Sequence, residues 1–494
     1  MTLADEQLRK LDNSSLTVNE RVLLRCRIAA DLIHKGQYEA AREALGELWR
    51  GIGQRPDIGE LPPMTAAEVL LQCGALTGWL GSAGNMAGVE EKAKDLLTEA
   101  LRIFESQGEY KKASEAQYEL GICYWRLGSH DEGRVMLREA LEPLQDADLE
   151  LKAKILIRLA LVETWDNRYY TALSILKEAE PVFKSANDAF KGTWHSQMAL
   201  VLIRLALMEG NNDYTDRAII EFTAAIYHYE LAGHERYCAR SLNNLAMTLY
   251  KLGRHGEAHE HLDRAQLIFT RLKDAGNLAQ VDETRARVLV AERKYREANR
   301  IIGSVIKTFE AGGESALLAD ALTLQGTIWA RLGGLDSSAD IMRRAMKIAQ
   351  QSGAHTQAGQ AAMTLIEEHG ATWRLSVSEV AQVYTRAHEL LKGTQDAEDI
   401  MRLRACALKV IRRLSGMQLH EKNFTFYGAV QELEARLIEQ ALELEGGSIT
   451  RAAKRLGIKR QSFAQMLQTR HKNLLDKRTP PKKRLRSIIK EPKE

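Results

Sequence analysis

Apolar residues recur at three- and four-residue intervals along most of the 494 residues, the spacing of helices that bury one face. Four positions within this pattern repeat. A small residue stands at Ala93, Gly133, Ala172, Ala218, Ala258, Ala298 and Ser338, at steps of 40, 39, 46, 40, 40 and 40. Twelve residues before each is another small one: Gly81, Gly121, Ala160, Ala206, Ala246, Ala286 and Gly326. Four residues after each comes a large apolar one: Leu97, Leu137, Leu176, Phe222, Leu262, Ile302 and Met342. Seven residues after come Ala100, Ala140, Ala179, Ala225, Ala265, Val305 and Ala345. Four columns held through seven units identify an internal repeat. Glycine or polar residues interrupt the units at 127–133, 165–170, 209–214, 252–257, 291–297 and 332–337, so each unit is predicted as helix–turn–helix. The small residues let two helix backbones approach where they cross, and the large one fills the groove between neighbouring units.

The flanks are less regular. Ala29, Ala41, Leu45 and Leu48 outline a weaker first unit. A 52-residue step to Ala93 then contains GIGQRPDIGELPPM (51–64), with three of the eight prolines, predicted as an exposed loop. Beyond Ser338 the register degrades. Residues 356–370 and 376–391 read as an atypical closing pair, and 396–414 as a further helix. GMQLHEKNFTFYG (416–428) has glycine at both ends and no helical period. The expected layout is an all-α chain: about eight repeat units over 1–395, a connecting helix and linker over 396–428, a small helical domain over 429–472 and a tail over 473–494.

The unit QYELGICYWRLGSHDEGRVMLREAL (117–141) resembles the tetratricopeptide repeat, whose signature places small residues at its eighth, twentieth and twenty-seventh positions. The period here is longer than the family's usual ~34 residues, as in members with extended helices. HEAT-type repeats have a similar period but lack this Gly/Ala register. The resemblance implies a superhelix whose concave groove, lined by the first helix of each unit, accepts a protein or peptide ligand. Tyr118, Trp125, Trp165, Tyr250 and Trp329 are candidate anchors in that groove, and each also fits core packing.

The C-terminal segment reads differently. AVQELEARLIEQALELEGG (429–447) is amphipathic, with Val430, Leu433, Leu437, Ile438, Ala441 and Leu442 in one stripe. Gly446 and Gly447 end it, and Ser448 suits the N-cap of a short helix over 449–456. Gly457 stops that helix. A second short helix spans 460–471, with Phe463, Met466 and Leu467 inward. Two short helices about a tight turn on a basic background predict a helix-turn-helix. SITRAAKRLGIKRQSFAQML is similar to the Fis-type helix-turn-helix of bacterial enhancer-binding activators, through Thr450 to Ala453 and Gly457 to Arg460.

That resemblance implies binding to double-stranded DNA. Lys459, Arg460, Gln461, Ser462 and Gln465 would stand near base edges in the major groove, where Arg pairs with guanine and Gln with adenine. Thr450 and Arg451 would contact phosphate. Arg470 and Lys472 open a basic stretch, with Pro480 and Pro481 barring a continuous helix. It is either a solvated tail or an arm along the phosphates. Ala464, Gln465 and Met466 stand where Fis-type recognition helices are often basic. Helix 429–445 is the element expected to pair in a homodimer, since the Fis-type resemblance implies pairing across a two-fold axis. The same stripe would otherwise cover only its own two short helices.

Charge sharpens the division. The chain has 69 Lys+Arg against 66 Asp+Glu, a net of +3. Residues 448–494 hold 15 basic and three acidic residues, +12, which leaves −9 for residues 1–447. Five scattered cysteines argue against a disulfide framework or a paired-cysteine zinc site and fit a reducing cytoplasm. The N-terminus lacks a secretory apolar region, and no run is long enough to span a membrane. GSAGNMAG (81–88) is not followed by the Lys of a phosphate-binding loop. His255 and His259 have metal-ligand spacing, but no third ligand can be named. No catalytic constellation or cofactor motif is found, so no enzyme and no cofactor are expected. The expectation is a cytoplasmic transcription regulator. An interaction scaffold with a sequence-blind basic tether, or an architectural DNA-bending protein, would share these features.

Overall fold

A computed structural model of the chain describes residues 16–83, 86, 88–144, 148–184, 186–370, 375–394, 396–415 and 425–477. The described residues form helices and no strand. Their contacts define two units, one of Met1–Arg374 with Gln382–Leu403, the other of Leu375–Ala381 with Arg404–Glu494. The contacts thus divide the chain at Leu403, ahead of the linker expected at 416–428, of which 416–424 lie outside the described residues.

The helices run α1 (Val18–His34), α2 (Tyr38–Leu45), α3 (Pro63–Ala83), α4 (Val89–Ser106), α5 (Tyr110–Arg126) and α6 (His130–Leu141). Next come α7 (Leu149–Trp165), α8 (Tyr169–Ala179), α9 (Asp188–Glu209), α10 (Asn212–Leu231), α11 (Glu235–Lys251) and α12 (His255–Arg271). They continue as α13 (Ala275–Ala291), α14 (Tyr295–Gly312), α15 (Ser315–Arg331), α16 (Leu335–Gln351) and α17 (His355–His369). The C-terminal helices are α18 (Val377–Leu390), α19 (Ala397–Ser415), α20 (Phe426–Leu444), α21 (Ile449–Arg455) and α22 (Arg460–Thr469).

The repeat register is the packing register. Ala93, Ala172, Ala218, Ala258 and Ala298 are fully buried, as are Leu97, Leu137, Leu176, Leu262 and Ile302. A Cβ on Gly121 would stand 2.7 Å from Leu137 Cγ, and one on Gly326 2.6 Å from Met342 Cγ. These helices therefore cross at a distance only glycine allows. Gly81 breaks the expected pattern: its missing Cβ faces Val89, and it is Gly74 that meets Leu97, at 2.7 Å. The turn between α3 and α4 is longer than in the other units, which moves the crossing point back by two helical turns. The loop before α3 ends at Pro62, because Pro63 and Met64 already belong to the helix. It is mostly exposed, but buried Trp49 anchors it, donating to the Gln54 carbonyl at 3.0 Å.

The within-unit turns other than that between α9 and α10 share one closure. The third residue past the helix donates to a carbonyl five residues back, as in Ser129 to Tyr124 (2.9 Å) and Lys294 to Leu289 (2.8 Å). This bond requires a left-handed residue just before the donor. Gly128 fills the slot at φ +78°, whereas Asn167 and Arg293 occupy it at +60° and +63°, and Lys273, at +53°, takes the same slot in the turn between α12 and α13, where Asp274 donates to the Phe269 carbonyl at 3.0 Å.

The first unit of structure curves until its beginning meets its middle. Arg236 on α11 donates from Nε to the Gly36 carbonyl at 3.2 Å and from Nη2 to Glu39 at 3.0 Å, and it pairs with buried Asp274. Further along, the segment entering α19 lies against the inner helices. Asp396 pairs with Arg204 at 3.3 Å, Glu398 with Lys251 at 2.9 Å, and Asp399 accepts from Gln360 at 2.9 Å.

The second unit holds the three-helix C-terminal assembly. Ile438, Ala441 and Leu442 of α20, Ala452 and Ala453 of α21, and Phe463 and Leu467 of α22 form its core. α20 starts three residues before the expected helix, with the Thr425 side chain accepting from Gly428 N at 3.1 Å. The chain continues past 472 in a 3-10 turn, Lys472–Lys477, that buries Leu474 against the same core. Residues 473–477, expected in the tail, are therefore part of this assembly. Lys477 is bound to Glu439 and, at 2.7 Å, to Glu443.

Candidate functional site

Ser448 caps α21 by accepting from Arg451 N at 3.4 Å. Gly457, at φ +68°, turns the chain into α22, and nothing lies within 4 Å of where its Cβ would be. That glycine is required by the backbone and not by space. Phe463 and Leu467 seat α22 inward, with Met466 half-buried beside them. The 3.6-residue period then leaves Gln461, Ser462 and Gln465 outward, with Lys459 and Arg460 at the open N-terminal end. All five are exposed. Gln468 and Thr469, also exposed, extend this face by another turn. The residue types at the helix start did not single them out, although the same period points to them.

The remaining predicted residues sit differently. Thr450 and Arg451 are exposed at the start of α21, where Arg451 donates to the Glu445 carbonyl at 3.1 Å. Lys472 is exposed on the 3-10 turn. Arg470 is rotated half a turn from Gln465 and Gln468 and pairs with Glu434 of α20 at 3.2 Å. Buried His471 reaches the same carboxylate at 3.0 Å. Arg470 thus braces the assembly from behind the outward face.

The concave side of the repeats holds a second site. A cavity of about 580 Å³ is lined by the α1 C-terminus and by α3, α5, α7, α9 and α11. Of the five expected anchors, Tyr118 lines it. Trp125 and Trp165 face each other with ring centres 6.3 Å apart, and Trp329 donates to Asn299 at 2.9 Å. Tyr250 packs half-buried at the edge of the central core. Trp79, Tyr237, Arg158 and Glu119 line the cavity and were not singled out. A charged residue inside an apolar run, as Arg158 is in ILIRLALV, was the available signal.

His259 faces Glu292 at 3.2 Å, and no group of three or more metal-ligating side chains occurs among the described residues. All five cysteines are buried and free. Among the described residues no helix is long and apolar enough to cross a membrane.

Comparison with known proteins bears on both sites. The family described as "Bacterial regulatory protein, Fis family" matches residues 429–468, and tetratricopeptide-repeat families match residues 114–142 and 238–265. These are regulatory and protein-interaction families, with no catalytic family among them. No curated protein matches the chain. A Rap protein crystallised with competence and sporulation factor is similar in structure at 17% identity and a TM-score of 0.50, covering 74% of this chain and 99% of that one. The apo quorum sensor NprR from B. thuringiensis follows at 16% identity and a TM-score of 0.47, covering 70% and 92%. Aspartyl phosphate phosphatase F from Bacillus subtilis has 13% identity and a TM-score of 0.46, covering 78% and 97%. At such identities the likeness to the first is one of fold. The chain carries tetratricopeptide repeats followed by a C-terminal helix-turn-helix of the Fis family.

Proposed function

We propose that this protein is a cytoplasmic transcriptional regulator whose C-terminal assembly reads DNA as a dimer while its repeats receive a protein or peptide partner. The observation that carries the reading is the outward row of α22, where Lys459, Arg460, Gln461, Ser462 and Gln465 are exposed together above a closed apolar core. A helix held this way presents donors and acceptors to base edges. Thr450, Arg451 and Lys472 would set the assembly on phosphates.

A dimer is supported by what α20 leaves uncovered. Leu437 and Leu444 are 46% and 69% exposed, and Val430 and Leu433 are half-buried, along one heptad-like line. For the repeats, the tetratricopeptide families matched are interaction modules, and a protein of similar fold was crystallised with competence and sporulation factor.

Fluorescence anisotropy of the full chain on selected and random duplexes tests the reading. Arg460→Ala and Gln465→Ala should each weaken binding to a selected site by about 1–3 kcal/mol while changing random-duplex binding little. Arg451→Ala should weaken binding to all duplexes and lower its salt dependence. Equal affinity for every duplex would instead favour a scaffold tethered by its basic end.

A further inference from the structure

The cavity in the repeats is walled on several sides. The α1–α2 turn closes against α11 through Arg236 and Gly36, and the concave surface further along is filled by residues 396–399. What remains is compact, and about 580 Å³ falls within the range of small-ligand sites. Its walls include three flat rings, Trp79, Tyr118 and Tyr237, with Trp79 edge-on to Tyr237 at 6.2 Å.

Arg158 projects into this space. Its only hydrogen bond among the described residues is a long one, 3.5 Å to the Tyr118 hydroxyl; the charge of Glu119 acts on it, but no carboxylate among the described residues stands within ion-pair distance. Glu119, on the same wall, has neither a hydrogen bond nor an ion pair among the described residues. Arg126 lies over Trp79 at 4.2 Å and Arg240 over Tyr237 at 5.7 Å, so the rings are backed by further positive charge. A half-buried guanidinium without an ion-pair partner gains from a ligand that supplies an anion.

We propose that this cavity binds a small organic acid, its carboxylate on Arg158 and its flat apolar body between Trp79, Tyr118 and Tyr237. A single negative charge suits the site better than a phosphate dianion, because Asp31, Glu150 and Asp188 also line it. The acid is an input to the repeats in addition to a protein or peptide, so the proposal rests on the reading of the repeats as the receiving half.

Glu119 supplies a second contact. Burial pushes its carboxyl up to about 7, with Arg126 and Arg158 opposing the rise and Glu115 and Glu90 adding to it. In its protonated form it donates to a bound carboxylate. The other groups do not compete near neutrality. Lys154 is paired with Glu150 at 2.8 Å and Asp188 with His228 at 2.8 Å. Burial holds His34 and His234 neutral, down to about 4 and about 3. Asp31 and Lys35 complete the charged lining.

The test is titration calorimetry of the full chain with phenylacetate, indole-3-acetate and 4-hydroxybenzoate, against phenylacetamide and phenyl phosphate. At least one carboxylate should saturate with Kd of about 1 mM or below, and phenylacetamide should bind at least ~10-fold more weakly than phenylacetate. Arg158→Ala should weaken the acid by about 10–100-fold. Arg158→Lys, which keeps the charge and removes the fork, serves if the alanine variant loses its helical circular dichroism. Wild-type affinity should fall as pH rises through about 7, and Glu119→Gln should bind without that dependence. The proposal is overturned if no carboxylate saturates by about 10 mM, if amide and acid bind alike, if phenyl phosphate binds tightest, or if both Arg158 variants bind as wild type. Duplex binding measured in parallel separates the two ideas. Intact DNA binding without acid binding rejects the cavity proposal alone, and the reverse rejects the regulator reading alone.

Discussion

Asp320 lies on the inner face of α15, where burial pushes its carboxyl up to about 7, against the attraction of Arg287 and with the repulsion of Glu283 and Asp399. Its folded value stands above its unfolded one, so the folded state holds an extra proton between them. Stability from this group is present below about pH 4 and is lost as pH rises through about 7. Asp320→Asn removes that dependence. The variant should gain on wild type by on the order of 4 kcal/mol between about pH 4 and about pH 7, then by nothing more. Urea melts of both proteins across this range would show it, and a pH-independent difference would refute it. Residues of this kind were hard to find in the sequence. A buried Ala or Leu is announced by its place in the register, and Arg158 by its apolar neighbours, whereas Asp320 and Glu119 look like ordinary helix-surface residues until the curvature of the repeats turns their face inward. The outward residues of α22 were legible, because burial of Phe463 and Leu467 determines which neighbours face water. The pairing of Arg470 with Glu434 was not, because it depends on the angle at which that residue leaves the helix.

Helices and turns were the most legible level. The breaks at 127–129, 166–168, 252–254, 292–294 and 332–334 follow from glycine and polar runs, and their five-back hydrogen bonds need one left-handed residue each. Lys273 and Arg293 meet that need with side chains that dislike it, at about 1 kcal/mol or more per position. Lys273→Gly and Arg293→Gly should therefore each raise repeat stability by about 1 kcal/mol, read as a higher denaturation midpoint with unchanged slope. A lower midpoint would mean that side-chain contacts outweigh backbone strain. Element ends were less legible where two signals conflict. Gly428 suggests a loop but lies inside α20, because the Thr425 cap sets the start earlier. Asn473 to Lys477 read as basic tail, but Leu474 finds an apolar seat. Gly81 satisfied the spacing rule while Gly74 made the contact, since spacing cannot count extra loop residues.

At the scale of the whole repeat unit, Arg236 holds two distant segments together. Its side chain is 4% exposed, and its partners Gly36 and Glu39 lie 200 and 197 residues away. Arg236→Ala leaves Asp274 buried without a counter-charge, at a cost of about 3–5 kcal/mol. Hydrogen exchange should speed up in α1 and α2 and hold steady in α14 to α17; uniform acceleration would show that Arg236 supports only its own neighbourhood. Nothing in the repeat pattern foretells this closure. The order of amino acids by itself determined the helices, their pairing within each unit, the tight crossings and the C-terminal helix-turn-helix, because each depends on residues within about one period of one another. Only the tertiary structure decided that Gly36 meets Arg236, that Asp396 to Asp399 fill part of the concave surface, and that Arg158 and Glu119 share a cavity. Those outcomes depend on the small rotation from each unit to the next, summed over several units, and no local spacing encodes that sum.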